Sequence, residues 1–286
     1  MRNHLKHILL AALTLLLAAS CKEELDMDFN EVAPFHVIQG DLTETGARVI
    51  ITRSRSMSDS VKGKCLQGAD VRLSDDNGRS ETLTYDPRGY YAPASGWKGE
   101  TGRTYRLDVS VEGNTYSASS FMMPPVSLDS LYFVWLETAG MRMLLLKYHY
   151  TFATGREADS IRQGRLCTSQ CYMERNGRFY RSHTTRQINP MLFHGEQFIG
   201  CMPEKMMEKN EPDDRESILY ENDTIHLSLW STDPTAYEYF KSQKTGQKNA
   251  YNPLTNIEGG AQGYFAAHSV ATLDTIFRMS EIRTEK

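Results

Sequence analysis

Thr104-Tyr105-Arg106-Leu107-Asp108-Val109-Ser110-Val111 places Tyr105, Leu107, Val109 and Val111 at every second position, with charged or hydroxyl residues between them. A strand alternates its side chains between two faces, so this octet offers one apolar face to a core and one wet face to solvent. Glu112-Gly113-Asn114 follows, residue types that tolerate the positive φ of a tight hairpin, and Thr115-Tyr116-Ser117-Ala118-Ser119 reads as the returning strand. Upstream, Phe35-His36-Val37-Ile38-Gln39-Gly40, Ala47-Arg48-Val49-Ile50-Ile51-Thr52 and Ala69-Asp70-Val71-Arg72-Leu73-Ser74 repeat the same grammar. Asp76-Asn77-Gly78 supplies a second tight turn. A calcium loop over Leu73–Gly78 is disfavoured because its first ligand position would be Leu73. Strands at this spacing predict a mainly β fold that opens, over residues 29–122, with an immunoglobulin-like or transthyretin-like β-sandwich.

Met123-Pro124-Pro125-Val126 interrupts the pattern, since each proline removes a ladder donor, and the domain boundary is expected there. Residues 123–286 then read as a second β-rich domain, with strands at 131–135, 143–152, 224–229 and 263–270. One short helix is expected over 234–244: Asp233 and Pro234 form a cap and first-turn pair, and Ala236, Tyr239 and Phe240 recur at helical spacing. The charged stretch 204–216 reads as a solvated loop.

The chain has 286 residues with 32 Lys plus Arg against 36 Asp plus Glu, and shows no basic stripe of the kind that phosphate contacts require, so nucleic acid is not an expected partner. Residues 1–20 are read as a lipoprotein signal peptide: Arg2 and Lys6 precede the apolar run 8–19, which is too short to span a bilayer core of about 30 Å. Leu17-Ala18-Ala19-Ser20-Cys21 resembles the bacterial lipobox, which makes Cys21 the lipidated first residue of the mature chain. Several acyl chains at about 0.8 kcal/mol per buried CH₂ form a stable anchor in the outer membrane. Residues 21–28 are the lipidated tether. Within it Lys22, Glu23 and Glu24 resemble the surface-export signal of Bacteroidetes lipoproteins, and the same residues would also serve as a plain solvated spacer. The mature chain keeps 30 basic against 36 acidic residues, a formal charge of −6.

Nearly the whole mature chain resembles the Bacteroidetes lipoproteins called domain of unknown function 4249. The resemblance is carried by Glu23 to Asp28, Arg53-Ser54-Arg55-Ser56, Gly68-Ala69-Asp70-Val71, Asp75-Asp76-Asn77-Gly78 and Gly99 to Tyr105. It continues through Pro124-Pro125 before Leu128-Asp129-Ser130-Leu131, Tyr237-Glu238-Tyr239-Phe240, Asn256-Ile257 and Gly263 to Val270. It implies fold and location more than chemistry, and it departs from the family pattern over residues 155–205.

There is no Gly-x-Ser-x-Gly elbow, no His-Glu-x-x-His helix and no phosphate-cradling loop, so hydrolases of known motif class are disfavoured and no catalytic residue or cofactor is assigned. His149, His183, His194, His226 and His268 are isolated in sequence and read as core or surface residues before ligands. Cys65, Cys167, Cys171 and Cys201 remain after Cys21. On one strand Cys167 and Cys171 would stand about 13 Å apart, beyond disulfide reach, so they could bridge only across a bend or to other partners, and an exported location permits a bridge such as Cys171 to Cys201. Free buried thiols, or a zinc site with His183 or His194, are the alternatives. Asp followed by Ser or Thr and an apolar residue recurs at 59–61, 129–131, 159–161, 223–225 and 274–276, resembling an O-glycosylation motif of exported Bacteroidetes proteins. Ser60, Ser160 and Thr224 are the candidate acceptors. Turn-to-strand transitions favour the same residues.

The expected function is that of a surface-exposed, non-catalytic binding or accessory module, partnered with a TonB-dependent transporter and with its ligand unassigned. A structural or adhesive surface protein needs the same parts, and an enzyme would need carboxylates or histidines distant in sequence to converge in a pocket. Contacts are expected from the second domain, through Gly155 to Arg165, Cys201 to Asn222, and Tyr237, Tyr239 and Tyr251, the alternative being that the tyrosines pack the helix onto the sheet, which is the favoured reading for Tyr239.

Overall fold

A computed structural model describes residues 33–55, 63–138, 141–151, 166–181, 186–188, 196–203, 219–249 and 251–285. The chain divides into Met1–Ala33 and a unit spanning Pro34–Lys286, and the elements below belong to the latter. The signal peptide, Cys21, Lys22, Glu23, Glu24 and the tether 21–28 lie outside the described residues.

The strands are, in order, β1 (His36–Thr43), β2 (Gly46–Arg53), β3 (Asp70–Asp75), β4 (Ser80–Thr82), β5 (Thr84–Asp86), β6 (Tyr90–Ala92), β7 (Thr104–Val111), β8 (Asn114–Phe121), β9 (Ser127–Thr138), β10 (Met141–Thr151), β11 (Leu166–Arg175), β12 (Arg178–Arg181), β13 (Arg186–Ile188), β14 (Glu196–Pro203) and β15 (Thr224–Thr232). Helix α1 (Pro234–Asn249) follows, then β16 (Gln262–Ala267), β17 (Ser269–Ile276) and β18 (Arg283–Glu285). Two sheets, β16-β1-β2-β6-β5 and β4-β3-β7-β8, enclose the first core. Two more, β14-β10-β9-β18 and β12-β11-β15-β17, enclose the second. The protein is mainly β, and both halves are sandwiches.

The octet 104–111 is β7, and its inward face is the alternating set: Tyr105, Leu107, Val109 and Val111 are at most 4% exposed. Burying a side chain such as Leu107 contributes about 1.5–3 kcal/mol. Glu112 (φ 52°) and Gly113 (φ 79°) make the two-residue turn to β8 with both central residues left-handed, whose twist matches the strands it joins. At the β3–β4 turn, Asp75 Oδ1 accepts the amide N–H groups of Asn77 and Arg79, each at 2.9 Å, and Gly78 takes φ 86°. It is a hairpin, not a cation loop.

A contiguous second domain from residue 123 does not describe the sheets. The expected strand 263–270 is two strands: β16 pairs in parallel with β1 of the first sandwich, and after His268 the chain enters β17 in the second. Ile257, Ala261, Phe265 and Ala267 accordingly belong to the first core. The two crossings between sandwiches run side by side, with Met123 bridged to His268 and the Ser269 hydroxyl donating to the Met123 carbonyl at 2.7 Å. Helix α1 starts where Asp233 and Pro234 place it and runs five residues past the expected end at 244, through Gly246. A single helical glycine costs about 1 kcal/mol against alanine, which need not terminate a helix. Ala236, Tyr239 and Phe240 pack on Ala266, Tyr264 and Trp230, a third, smaller core.

Candidate functional site

Residues 251–261 form a strap between α1 and β16 that seals the open side of the first sandwich, using side chains where a strand would use backbone. Asn256 Oδ1 accepts the Phe265 N–H at 2.9 Å, and its Nδ2 donates to the Phe265 carbonyl at 2.8 Å. The Thr255 hydroxyl donates to the Gly263 carbonyl at 2.9 Å. On its other side the strap is hydrogen-bonded to the edge strand β8 at Glu258, where the Ser117 N–H donates to the Glu258 carbonyl at 3.3 Å and the Glu258 N–H returns to the Ser117 carbonyl at 2.7 Å, with Gly259 passing close to Thr115 and Tyr116. An antiparallel continuation would bring Asn256 opposite Ser119. Asn256 is committed to β16 instead, so strap and β8 part.

The space opened there is a cleft of about 360 Å³ lined by Arg106, Ser117, Ser119, Thr235, Asn256 and Glu258, among others. Its size falls in the range of small-ligand sites. The Arg106 guanidinium is held by Asp108 at 2.9 Å, and Glu258 Oε2 accepts the Ser117 hydroxyl at 3.1 Å. The start of α1 forms part of one wall, but its amides are occupied. Asp233 Oδ1 accepts the Thr235 and Ala236 N–H groups at 2.8 and 3.1 Å, while Oδ2 receives the Ser120 hydroxyl. Ser120 Oγ in turn accepts the Ala267 N–H at 2.9 Å, which ties α1, β8 and β16 together. The wall is thus mixed, with hydroxyls, an amide, the Arg106 guanidinium and the Glu258 carboxylate beside the apolar Ala118 and Ile257. Two exposed apolar side chains, Tyr251 and Leu254, precede the lining residues in the same strap, 76% and 60% exposed.

The described histidines lie against other groups of the fold, and among them only the buried His268 has no hydrogen-bond partner among the described residues for either ring nitrogen. His36 Nδ1 lies 2.7 Å from the Tyr116 hydroxyl and Nε2 lies 2.9 Å from Glu112 Oε2, whose other oxygen meets Arg53 at 2.5 Å. A carboxylate only accepts, so Nε2 carries a proton toward Glu112. Arg53, and then His36, hold the Glu112 carboxyl below the usual carboxylate range, and burial pushes the Tyr116 hydroxyl up, away from nucleophilic use. A carboxylate with a depressed folded-state pKa contributes stability above its unfolded value, and that contribution is lost as pH falls through the folded value. Glu112→Gln is therefore expected to lower the urea midpoint at neutral pH and to converge on the wild type as pH falls below the ordinary glutamate value of about 4.3. A deficit that stays constant across that fall would show that the ionised pair is not its source.

His226 bridges strands, with Nε2 3.1 Å from Glu174 Oε2 and Nδ1 3.0 Å from Asp274 Oδ1. His268 is buried, stacked on Trp230 at 4.5 Å with Nε2 3.4 Å from Asp41 Oδ1. Asp41 Oδ2 accepts the Tyr264 hydroxyl at 3.1 Å, and burial followed by the Asp41 charge raises the Tyr264 pKa far above normal. His149 stacks on Tyr132 at 6.0 Å. Among the described residues no group of three or more His, Cys, Asp or Glu is arranged to hold a metal.

Ser60, Ser160, His183 and His194 lie outside the described residues. Thr224 opens β15, half-buried, between Asp223, which is buried in an ion pair with Arg175, and the core residue Ile225. Cys167 and Cys171 do share one strand, β11. Of the expected pair, Cys171 is buried in the second core beside Met173 and Leu227, and Cys201 stands in β14 opposite Leu145, in another sheet. Of the tyrosines expected as contact anchors, Tyr237 and Tyr239 are buried at 6% and 5% exposure, and Tyr251 is outside. Arg106, Ser119 and Glu258 were not legible as a site, because the strap meets β8 from far along the chain. Only Asn256-Ile257 stood out, within the family resemblance.

A family model described as "Domain of unknown function (DUF4249)" matches residues 22–274. No curated protein matches the chain. Among solved structures, the selenomethionine-substituted chicken interferon gamma receptor alpha chain aligns at 10% identity over 70% of this chain and 89% of its own, with a TM-score of 0.21. A likeness that weak carries no argument.

Proposed function

We propose that this chain, which belongs to the DUF4249 family of domains of unknown function, is a lipid-anchored protein of the outer-membrane surface that binds rather than catalyses, as the accessory of a TonB-dependent transporter. The observation that carries the binding reading is the cleft beside the strap, whose walls combine hydroxyl, amide and charged groups with the apolar Ala118 and Ile257. A concave site of mixed polar and apolar lining suits recognition, with apolar contact supplying affinity and polar groups orientation. The match to the family begins at residue 22, immediately after Cys21, which supports Cys21 as the start of the mature chain. Among the described residues no helix is long and apolar enough to cross a membrane, in keeping with attachment through lipid. Tethering to the same membrane as the transporter raises effective concentration, so a modest interface suffices.

Cys21→Ala is expected to release the protein from membranes. Replacing Lys22, Glu23 and Glu24 with alanine is expected to keep it on the periplasmic side, read by protease shaving of intact cells. Full protection of the wild type would defeat the surface reading. Crosslinking in cells and purification through this protein is expected to enrich an outer-membrane barrel over an unrelated surface lipoprotein. Failure to do so returns the protein to a stand-alone binder or adhesin.

A further inference from the structure

The cleft has the geometry of a missing strand. In the β7–β8 ladder the closing pair Val111 and Asn114 is hydrogen-bonded, so bonded and non-bonded pairs alternate from there, and Asp108–Ser117 and Arg106–Ser119 are non-bonded pairs. The N–H and C=O of Ser117 and Ser119 therefore point away from β7. Those of Ser117 are taken by Glu258, while those of Ser119, which lines the cleft, receive no hydrogen bond from the described residues. Phe121, two residues on, has the same direction and a side chain 39% exposed. An edge strand with open backbone groups is a template for pairing with another chain.

We infer that the edge of β8 at Ser119 and Phe121 receives an extended peptide segment of a partner protein, which continues the one-residue bridge begun by Glu258 and bears a basic side chain toward that glutamate. The charge follows from the walls: the Arg106 guanidinium is held by Asp108 and also lies within electrostatic range of Glu258, so these three side chains together leave one net negative charge at the mouth, where Glu258 is hydrogen-bonded only to the Ser117 hydroxyl. Affinity comes from main-chain hydrogen bonds and preference from that charge, the pattern of strand addition. The cleft admits a short segment, because the start of α1 and the strap close its far wall. This deepens the accessory-module reading and rests on it only for the partner being a transporter.

The test uses the full-length protein and the blocked pentapeptide acetyl-Thr-Val-Lys-Val-Thr-amide, followed by amide hydrogen exchange. Exchange at Ser119 and Phe121 is expected to slow by about tenfold or more at saturating peptide. N-methylation of one alternating set of peptide amides should abolish the protection and N-methylation of the other set should leave it, because only every second N–H faces the partner strand. Exchanging the peptide lysine for glutamate should weaken binding, and Glu258→Gln should erase the difference between the two peptides. Ser119→Pro, at an edge position that does not bond to β7, should fold and fail to bind. No protection up to about 10 mM peptide, a free energy near −2.7 kcal/mol, or equal sensitivity to both methylation patterns, would overturn the inference. The outcome is read on purified protein, so it is separate from whether a barrel is enriched from cells.

Discussion

Asp223→Ala is expected to destabilise the purified protein by about 3–5 kcal/mol, the cost of breaking a buried charge pair from one side. The Asp223 side chain is 2% exposed, and Arg175 grips it bidentately, Nε to Oδ1 at 2.8 Å and the terminal nitrogen to Oδ2 at 2.6 Å. The guanidinium also lies over the Tyr220 ring at 4.2 Å. Asp223 Oδ2 further accepts the Tyr220 N–H at 2.8 Å, and its carbonyl receives the Phe277 N–H at 2.7 Å. Alanine would leave the Arg175 charge partly buried and the 220–223 turn unsupported. Asp223→Asn keeps the shape and removes the charge, so it should cost less. A urea midpoint that drops with an unchanged slope is the expected signature. A change under about 1 kcal/mol would show that solvent replaces the carboxylate.

The same pair bears on Asp223-Thr224-Ile225 as a modification motif. Each residue has a packing role here: Asp223 in the ion pair, Thr224 at the strand start, Ile225 in the second core. Asp129-Ser130-Leu131 lies within β9 with Leu131 buried, and Asp274 of the triplet 274–276 meets His226. Only 223–225 stands at a strand start, since 129–131 lies inside β9 and 274–276 ends β17, while 59–61 and 159–161 lie outside the described residues.

The first sandwich was legible because its strands carry their instructions locally. Alternation marks the buried face of β7, and Glu112-Gly113 and Asp75 to Gly78 mark its turns. Helix α1 was legible at its start for the same reason, since an aspartate and a proline act within one turn. Its packing partners Ala266, Tyr264 and Trp230 come from two other strands, and no spacing within the helix reveals them. The second sandwich hid most of β11 to β14, where polar residues and cysteines replace clean alternation. Cys201 to Asn222, expected to be without a strand, begins with the last residues of β14. The cleft was illegible for a further reason: it exists because Asn256 prefers β16 to β8, a competition between two edges that meet only after folding.

The split of 263–270 into two strands leads to the second large effect, at Gly263. Its run of small and apolar residues reads as one strand, yet Gly263 has φ 112°, and a Cβ there would stand 1.8 Å from the Ile38 carbonyl oxygen of β1. The backbones of β1 and β16 approach too closely at that point for any side chain, and Ile38 and Gly263 are register partners in the parallel pair. Gly263→Ala must therefore both adopt a strained φ, at about 1–3 kcal/mol, and push β16 off β1. Displacing β16 would uncover Phe265 and Ala267 from the first core and loosen the Ser120 bond to Ala267. A total loss of at least about 3 kcal/mol is expected, with early protease cleavage in the strap. Gly260→Ala is the control, because Gly260 also has positive φ, at 93°, but open space around the missing Cβ. It should show the backbone penalty alone, about 1–3 kcal/mol, and so a smaller loss than Gly263→Ala. Equal losses at the two positions would mean that the parallel pairing of β16 with β1 contributes little, and that the second crossing does not hold the first sandwich closed.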